Sequence, residues 1–186
     1  MRVRKLFLIA LLIALSFVFQ GHLKRQVDYL NYPQRYISEV SSASALYGVE
    51  KELIFSIIKA ESRFFPYAKS RKNARGLMQL SENTWQYACR SLALDLNKIY
   101  EKESNIRAGT WYFSQLLKEF QDEHLAIIAY NAGPSKVREW IASGLVGGGD
   151  AKEWQVPYGE TKLYLLRVME YKKKYLQIYR LDGREK

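Results

Sequence analysis

The sequence predicts a mainly α fold: a single compact helical domain with little or no β-structure, spanning residues 33–182 and preceded by an N-terminal hydrophobic segment. Three observations carry that expectation. Asn105 to Phe120 sets Ile106, Gly109, Phe113, Leu116, Leu117 and Phe120 on one side of a helix. Leu125 to Tyr130 is apolar all round, as a buried central helix is. From Tyr158, the residues Tyr164, Leu165, Val168, Tyr171, Tyr175, Leu176 and Tyr179 recur at helical spacing, with Lys172, Lys173 and Lys174 expected to point outward.

In chain order, Arg2, Arg4 and Lys5 precede an apolar run from Leu6 to Phe19. A basic start and an apolar core shorter than a comfortable bilayer span match an export signal. No convincing small-residue cleavage site follows, so residues 1–21 read equally as a cleaved signal peptide or an uncleaved signal-anchor. In both cases the remainder works outside the cytoplasm, secreted or held at the membrane. Residues 22–32 are polar and read as a linker. Pro33 opens a helix with Ile37, Val40, Ala43 and Ala45, and Gly48 ends it.

The next helix starts near Glu50 and stops before Pro66, because the residue preceding proline resists helical geometry. Pro66 to Arg75 lacks periodicity and reads as a basic loop. Gly76–Leu80 is expected to cross the core as an extended segment. Ser81 has the chemistry of an N-cap for a helix through Trp85 and Ala88. Asn131-Ala132-Gly133-Pro134 breaks the apolar helix before it, and Gly144–Pro157, with four glycines and Trp154, is expected to form a flexible flap.

Of the 186 residues, 29 are basic and 19 acidic, for a net charge of +10. That balance favours an anionic partner. No run interleaves clustered basic and aromatic residues, which disfavours nucleic acid. One cysteine, Cys89, excludes an intramolecular disulfide and reads as a buried small hydrophobe. His22 and His124 come without metal-ligand spacing, no nucleophile turn accompanies them, and Gly147-Gly148-Gly149 lacks the Lys-Ser/Thr of a phosphate loop. Carboxyl chemistry with aromatic partners remains.

Glu61 is the residue to which that chemistry attaches. Ile54, Ile57, Ile58 and Glu61 fall at helical offsets of three, four and seven, so a carboxylate continues an apolar stripe. Burial and the negative end of the helix dipole both disfavour its ionised form. The alternative is a helix-end glutamate paired with Arg63 in solvent, and on spacing alone both readings stand.

Four motifs then occur in order: Glu61-Ser62, Gly76-Leu77-Met78-Gln79, Ala129-Tyr130-Asn131-Ala132-Gly133-Pro134, and Tyr158-Gly159-Glu160-Thr161 with Tyr164. Together they resemble the lytic transglycosylases of the soluble-lytic-transglycosylase type, glycoside hydrolase family 23, related to goose-type lysozymes. The likeness runs from Tyr32 to Tyr179, and Asn105-Ile106 shares it. Ser81-Glu82 departs from the Met-Pro that the family often carries, and Gly147-Gly148-Gly149 falls in its variable region.

The resemblance implies a lysozyme-like α+β fold and a domain that acts on peptidoglycan glycan strands, as a monomer and without cofactor or metal. It implies Glu61 as the sole catalytic acid/base. Ser62 then hydrogen-bonds near the acid, Met78 and Gln79 line the sugar cleft, and Tyr130 and Asn131 stand opposite the acid. Tyr164 supports the acid and Glu160 serves the structure of the last helix. Without the resemblance, Met78 reads as core filler, Tyr130 as a core residue with its hydroxyl satisfied, and Glu160 as a helix-dipole partner.

The implied reaction cleaves the β-1,4 bond between N-acetylmuramic acid and N-acetylglucosamine and closes a 1,6-anhydromuramoyl ring. A hydrolytic muramidase and a non-catalytic peptidoglycan-binding domain are the competing readings.

Overall fold

The computed structural model describes residues 2–180, the side chains of 2–12, 14 and 180 excepted. The expected domain end at 182 lies outside the described residues, as do most side chains of the expected export segment. The chain divides into two units, one of residues 1–33 with 176–186, the other of residues 34–175.

In the first unit, α1 (Arg2–Asn31) is one continuous helix. The expected linker, residues 22–32, is therefore not an irregular connection. No proline interrupts it, and Leu23-Lys24-Arg25-Gln26 are good helix formers. Tyr29 meets Tyr179 at 5.8 Å between ring centroids, and the Tyr179 hydroxyl donates to the Tyr32 carbonyl at 2.6 Å. Among the described residues no helix is long and apolar enough to cross a membrane.

The second unit holds α2 (Ile37–Tyr47), α3 (Lys51–Ser62), α4 (Glu82–Leu92), α5 (Lys102–Phe120), α6 (Glu123–Ala132), α7 (Pro134–Ala142) and most of α8 (Gly159–Arg180). Among the described residues β-structure is confined to two isolated bridges, Lys69 with Arg75 and Arg75 with Leu80. The α-rich expectation stands. α2 starts at Ile37 rather than at Pro33, and Gly48, at φ 69°, ends it as expected. Ser81 does cap α4, its Oγ accepting from the Thr84 amide at 3.2 Å.

α3 sits at the centre of this core. Leu53 to Ile58 are six consecutive buried residues, so the helix is enclosed on every side rather than along a stripe. Ser56 is tolerated there because its hydroxyl donates to the Glu52 carbonyl at 2.6 Å. Phe55 stacks on Tyr175 of α8 with ring centroids 5.4 Å apart. α5 packs against α2, α4 and α6. A second apolar cluster joins Leu80, Trp85, Ala88, Cys89, Ile99 and Ala108, with Cys89 buried as expected.

Two further expectations change. Lys172 does not point outward: its Nζ reaches Glu123 at 2.7 Å and Glu50 at 2.9 Å, tying α8 to the starts of α6 and α3. An amphipathic side chain on the border of a buried stripe turns toward the carboxylates within reach. Gly144–Pro157 is anchored rather than a free flap. Val146, Ala151, Trp154 and Val156 are buried, and the Trp154 indole donates to the Gly148 carbonyl at 2.7 Å. The glycines serve the path of the chain, with Gly147, Gly148 and Gly149 all at positive φ, while one tryptophan holds the segment down.

Candidate active site

α3 delivers Glu61 one residue before its C-terminus. The helix cannot continue, because Arg63 and Phe64 take left-handed φ values of 51° and 65°. Two successive non-glycine residues in that region store backbone strain directly beside the acid. Buried Phe64, tilted against Phe55 at 6.3 Å, holds the turn in place.

The segment after it forms the facing wall. Gly76–Gln79 is a turn and not an extended crossing: the Gln79 amide donates to the Gly76 carbonyl at 3.2 Å, and Gln79 has φ 48°. Leu77 and Met78 point into the core on either side of that bend. Asn105 fastens it. This fully buried asparagine accepts from the Met78 amide at 2.8 Å and donates to the carbonyls of Ile99 at 2.8 Å and Arg75 at 3.2 Å. Gly76 is obligatory here, since a Cβ would lie 2.1 Å from Asn105 Nδ2, at a backbone φ of 81°. Gly109 of α5 does the same for the methionine, as a Cβ there would meet the Met78 sulfur at 2.4 Å.

Glu61, Gln79, Tyr130 and Asn131 line one cleft of about 430 Å³, together with Ser70, Arg71, Lys72, Ala74 and Glu160. Burial pushes the Glu61 carboxyl up to about 7, with Glu160 adding to the rise; the Tyr164 hydroxyl and Arg167 act against it. Arg63 is not its partner, so the solvent ion pair is not what forms. The Tyr164 hydroxyl is buried, makes no hydrogen bond of ordinary geometry, and faces the Glu61 carboxyl closely enough to hold its pKa down. Burial and the nearby Glu61 push the phenols of Tyr130 and Tyr164 well above their usual range, so both remain neutral donors.

The other expected residues take distinct places. The Tyr130 hydroxyl donates to the Met78 carbonyl at 2.8 Å, tying α6 to the Gly76–Gln79 turn. Asn131 Oδ1 accepts from Thr161 Oγ1 at 2.8 Å, which leaves its amide hydrogens for the cleft. Gln79 spends its amide hydrogens on the carbonyls of Ala68 at 3.0 Å and Gly76 at 2.9 Å, which turns its side-chain carbonyl to the cleft as an acceptor.

Ser62 does not line the cleft; its hydroxyl donates back to the Ile58 carbonyl at 3.1 Å. The Met78 side chain does not line it either. It is fully buried, and the Thr110 hydroxyl reaches its sulfur at 3.8 Å.

Two groups were missed by sequence reasoning. Glu160 reads from the sequence as a residue of its helix, yet it stands on the cleft rim, largely exposed, 3.9 Å from Lys72. In the sequence Arg71 and Lys72 read as ordinary loop charge, and nothing in their spacing marks them as cleft residues. Among the described residues no group of three or more His, Cys, Asp or Glu could hold a metal ion.

This helical fold, with a half-buried acid facing a glycine-pinned turn, has a family. Residues 38–149 match the model of the transglycosylase SLT domain, and the chain belongs to that family.

Among its relatives, the membrane-bound lytic murein transglycosylase C of Pectobacterium atrosepticum is 31% identical over 172 residues, covering 76% of this chain and 46% of that protein. The protein of that name from Yersinia pestis is 31% identical over 166 residues, with the same coverage. The chain thus spans about half the length of these curated relatives.

Among solved structures, an inactive glutamate-to-glutamine mutant of lytic transglycosylase Slt from Pseudomonas aeruginosa superposes with a TM-score of 0.71. It is 30% identical and covers 78% of this chain and 24% of that one. The 70 kDa soluble lytic transglycosylase of Escherichia coli gives a TM-score of 0.71 at 25% identity, over 78% of this chain and 25% of that one.

Proposed function

We propose that this chain is a peptidoglycan lytic transglycosylase in which Glu61 acts first as acid and then as base. The observation that carries the reading is a largely buried carboxyl, pushed up to about 7, on the wall of a cleft. Near neutral pH such a group is present in both forms, which is what one residue needs to give a proton and later take one.

The protonated Glu61 donates its proton to the oxygen joining N-acetylmuramic acid to N-acetylglucosamine, and the bond from that oxygen to the muramoyl C1 breaks. The N-acetyl carbonyl supports the positive charge developing at C1. The Glu61 carboxylate then removes the proton of the muramoyl C6 hydroxyl, whose oxygen bonds to C1 and closes the 1,6-anhydro ring. Because the nucleophile belongs to the substrate, the step is intramolecular and gains the large effective molarity of a positioned group.

The remaining residues position the acid and the sugar. Asn131 offers amide hydrogens to the N-acetyl carbonyl, and Gln79 offers an acceptor to a sugar hydroxyl. Tyr164 supports Glu61, while Ser62 and Met78 act through the helix end and the core. Membrane-bound names among the relatives support an extracytoplasmic place of action. The N-terminal segment supplies either the export signal or the anchor, and residues 33–182 are the catalytic domain, which acts as a monomer.

Digestion of purified sacculi tests the proposal. Wild type should release muropeptides lighter by one water than their hydrolytic counterparts, and Glu61→Gln should release none while keeping its fold. One observation favours a second reading. Glu160 puts a second carboxylate on the cleft, and a pair of carboxylates is what a hydrolytic glycosidase requires. A muramidase would give reducing muramic ends and would lose turnover in Glu160→Gln as well. The exposure of Glu160 and its pairing with Lys72 argue against that role.

A further inference from the structure

The turn at residues 70–73 is built more firmly than a surface loop requires. The Asn73 amide donates to the Ser70 carbonyl at 3.0 Å, the Ala74 amide to the Ser70 hydroxyl at 3.0 Å, and the Ser70 amide to the Ala74 carbonyl at 3.0 Å. Asn73 takes φ 63°, a conformation asparagine tolerates better than most residues. Arg71 and Lys72 are the two central residues of this turn, and both line the cleft that holds Glu61. A rigid bend therefore carries two cations to the edge of the site.

These cations are not used up by the fold. Neighbouring Arg75 is paired with Glu82, but among the described residues Arg71 has no ion pair. Lys72 has only Glu160, at 3.9 Å, with side chains 88% and 78% exposed. Such a contact is worth little and is readily exchanged for a better anion. Arg71 has the planar fork that takes a carboxylate bidentately.

We propose that Arg71 and Lys72 recognise the carboxylates of the peptide stem borne by the muramoyl residue being cleaved, so that the cleft prefers glycan with acidic stems. This rests on the peptidoglycan reading of the same site. The location of the cations selects the anion. They lie on the rim of the cleft that holds the acid, so the anion they meet must be attached to the sugar bound there. Stem peptides hang from the lactyl group of the muramoyl ring and carry free carboxylates. A soluble anionic polymer would not need cations inside a sugar cleft. When the stem arrives, its carboxylate replaces Glu160 at Lys72 and meets Arg71 alongside.

The test is binding by the Glu61→Gln chain, which holds substrate without consuming it. The ligands are stem-bearing glycan fragments with free stem carboxylates, and the same fragments with those carboxylates amidated. Calorimetry should give a Kd about five- to tenfold tighter for the free-carboxylate fragment, the size expected of two rim ion pairs together. Adding Arg71→Ala and Lys72→Ala should bring the two fragments to parity. Adding Arg90→Ala and Lys118→Ala, which removes the same charge from exposed positions on α4 and α5, should leave the preference intact.

Equal affinity of the two fragments for Glu61→Gln overturns the proposal, including the case in which neither binds. So does a preference that survives loss of Arg71 and Lys72, or one lost equally in the charge-matched control. The underlying reading fails separately, when wild type releases no muropeptide from sacculi.

Discussion

Replacing Glu61 by Gln should change stability in a pH-dependent way, and the size follows from the site. Glutamine has the shape and neutrality of the protonated acid, so the substitution removes ionisation and little else. An acid whose folded-state pKa lies above its unfolded value keeps its proton in the folded chain after the unfolded chain has lost it. The folded state of wild type therefore loses relative stability as pH climbs from 4.5 to about 7, and carries the full penalty above that. A tenfold step being about 1.4 kcal/mol, the interval from 4.5 to about 7 corresponds to about 3 kcal/mol.

Urea titrations of wild type and Glu61→Gln at pH 4 and pH 8 give the difference directly, and groups elsewhere cancel between the two proteins. The two should be nearly equal in stability at pH 4, with the variant ahead by about 3 kcal/mol at pH 8. A difference that stays constant across this range, to within about 1 kcal/mol, would refute the claim that the fold holds this carboxyl protonated. Carboxyl 13C shifts of Glu61 should show the same midpoint near 7.

Tyr164→Phe removes a hydroxyl that holds the Glu61 pKa down and that has no ordinary hydrogen bond of its own. The alkaline limb of the kcat profile should move to higher pH, while stability changes by less than about 1 kcal/mol, since no satisfied bond is lost; an unmoved limb would show that the hydroxyl does not act on the acid. Asn105→Ala strands the Met78 amide and the Ile99 carbonyl in a buried place, leaves the Arg75 carbonyl with the Leu80 amide alone, and should cost about 3 kcal/mol in urea unfolding. Turnover should fall with it, because the turn carrying Gln79 loosens; wild-type activity in a destabilised Asn105→Ala would detach that turn from the chemistry.

The helices were legible because their signals are local. The apolar period of α5, the all-apolar run of α6 and the serine cap of α4 each sit within a single helix of at most 19 residues. The order of the four motifs pointed to the cleft, and Glu61, Gln79, Tyr130 and Asn131 do meet there. What stayed hidden depends on distant partners. Gly76–Gln79 is apolar enough to look like a core crossing, and only Asn105, some thirty positions away, bends it into a turn. Met78 reads as core filler on its own and as a cleft residue only through the resemblance, and it is Gly109 that makes room for it in the core. Lys172 turns inward because Glu50 and Glu123 come from two other helices. Gly144–Pro157 is fixed by four buried side chains and the hydrogen bond of one indole, against the sense of its composition.

The same division explains why an acid can be kept at this position at all. A carboxyl that costs about 3 kcal/mol when ionised is a large fraction of the stability of an ordinary domain. It sits at the end of a helix enclosed in the core, where six buried residues fix the backbone that carries it. Burying a large apolar side chain contributes about 1.5–3 kcal/mol, so α3 offsets the penalty with two of its own residues. The facing wall is held by different means, a buried asparagine, two glycines and a tyrosine hydroxyl, none of which relies on the acid's charge. The hydrogen bonds that hold the facing wall thus do not include Glu61. A residue that must change protonation twice in each turnover requires a cleft that does not rearrange as it does so.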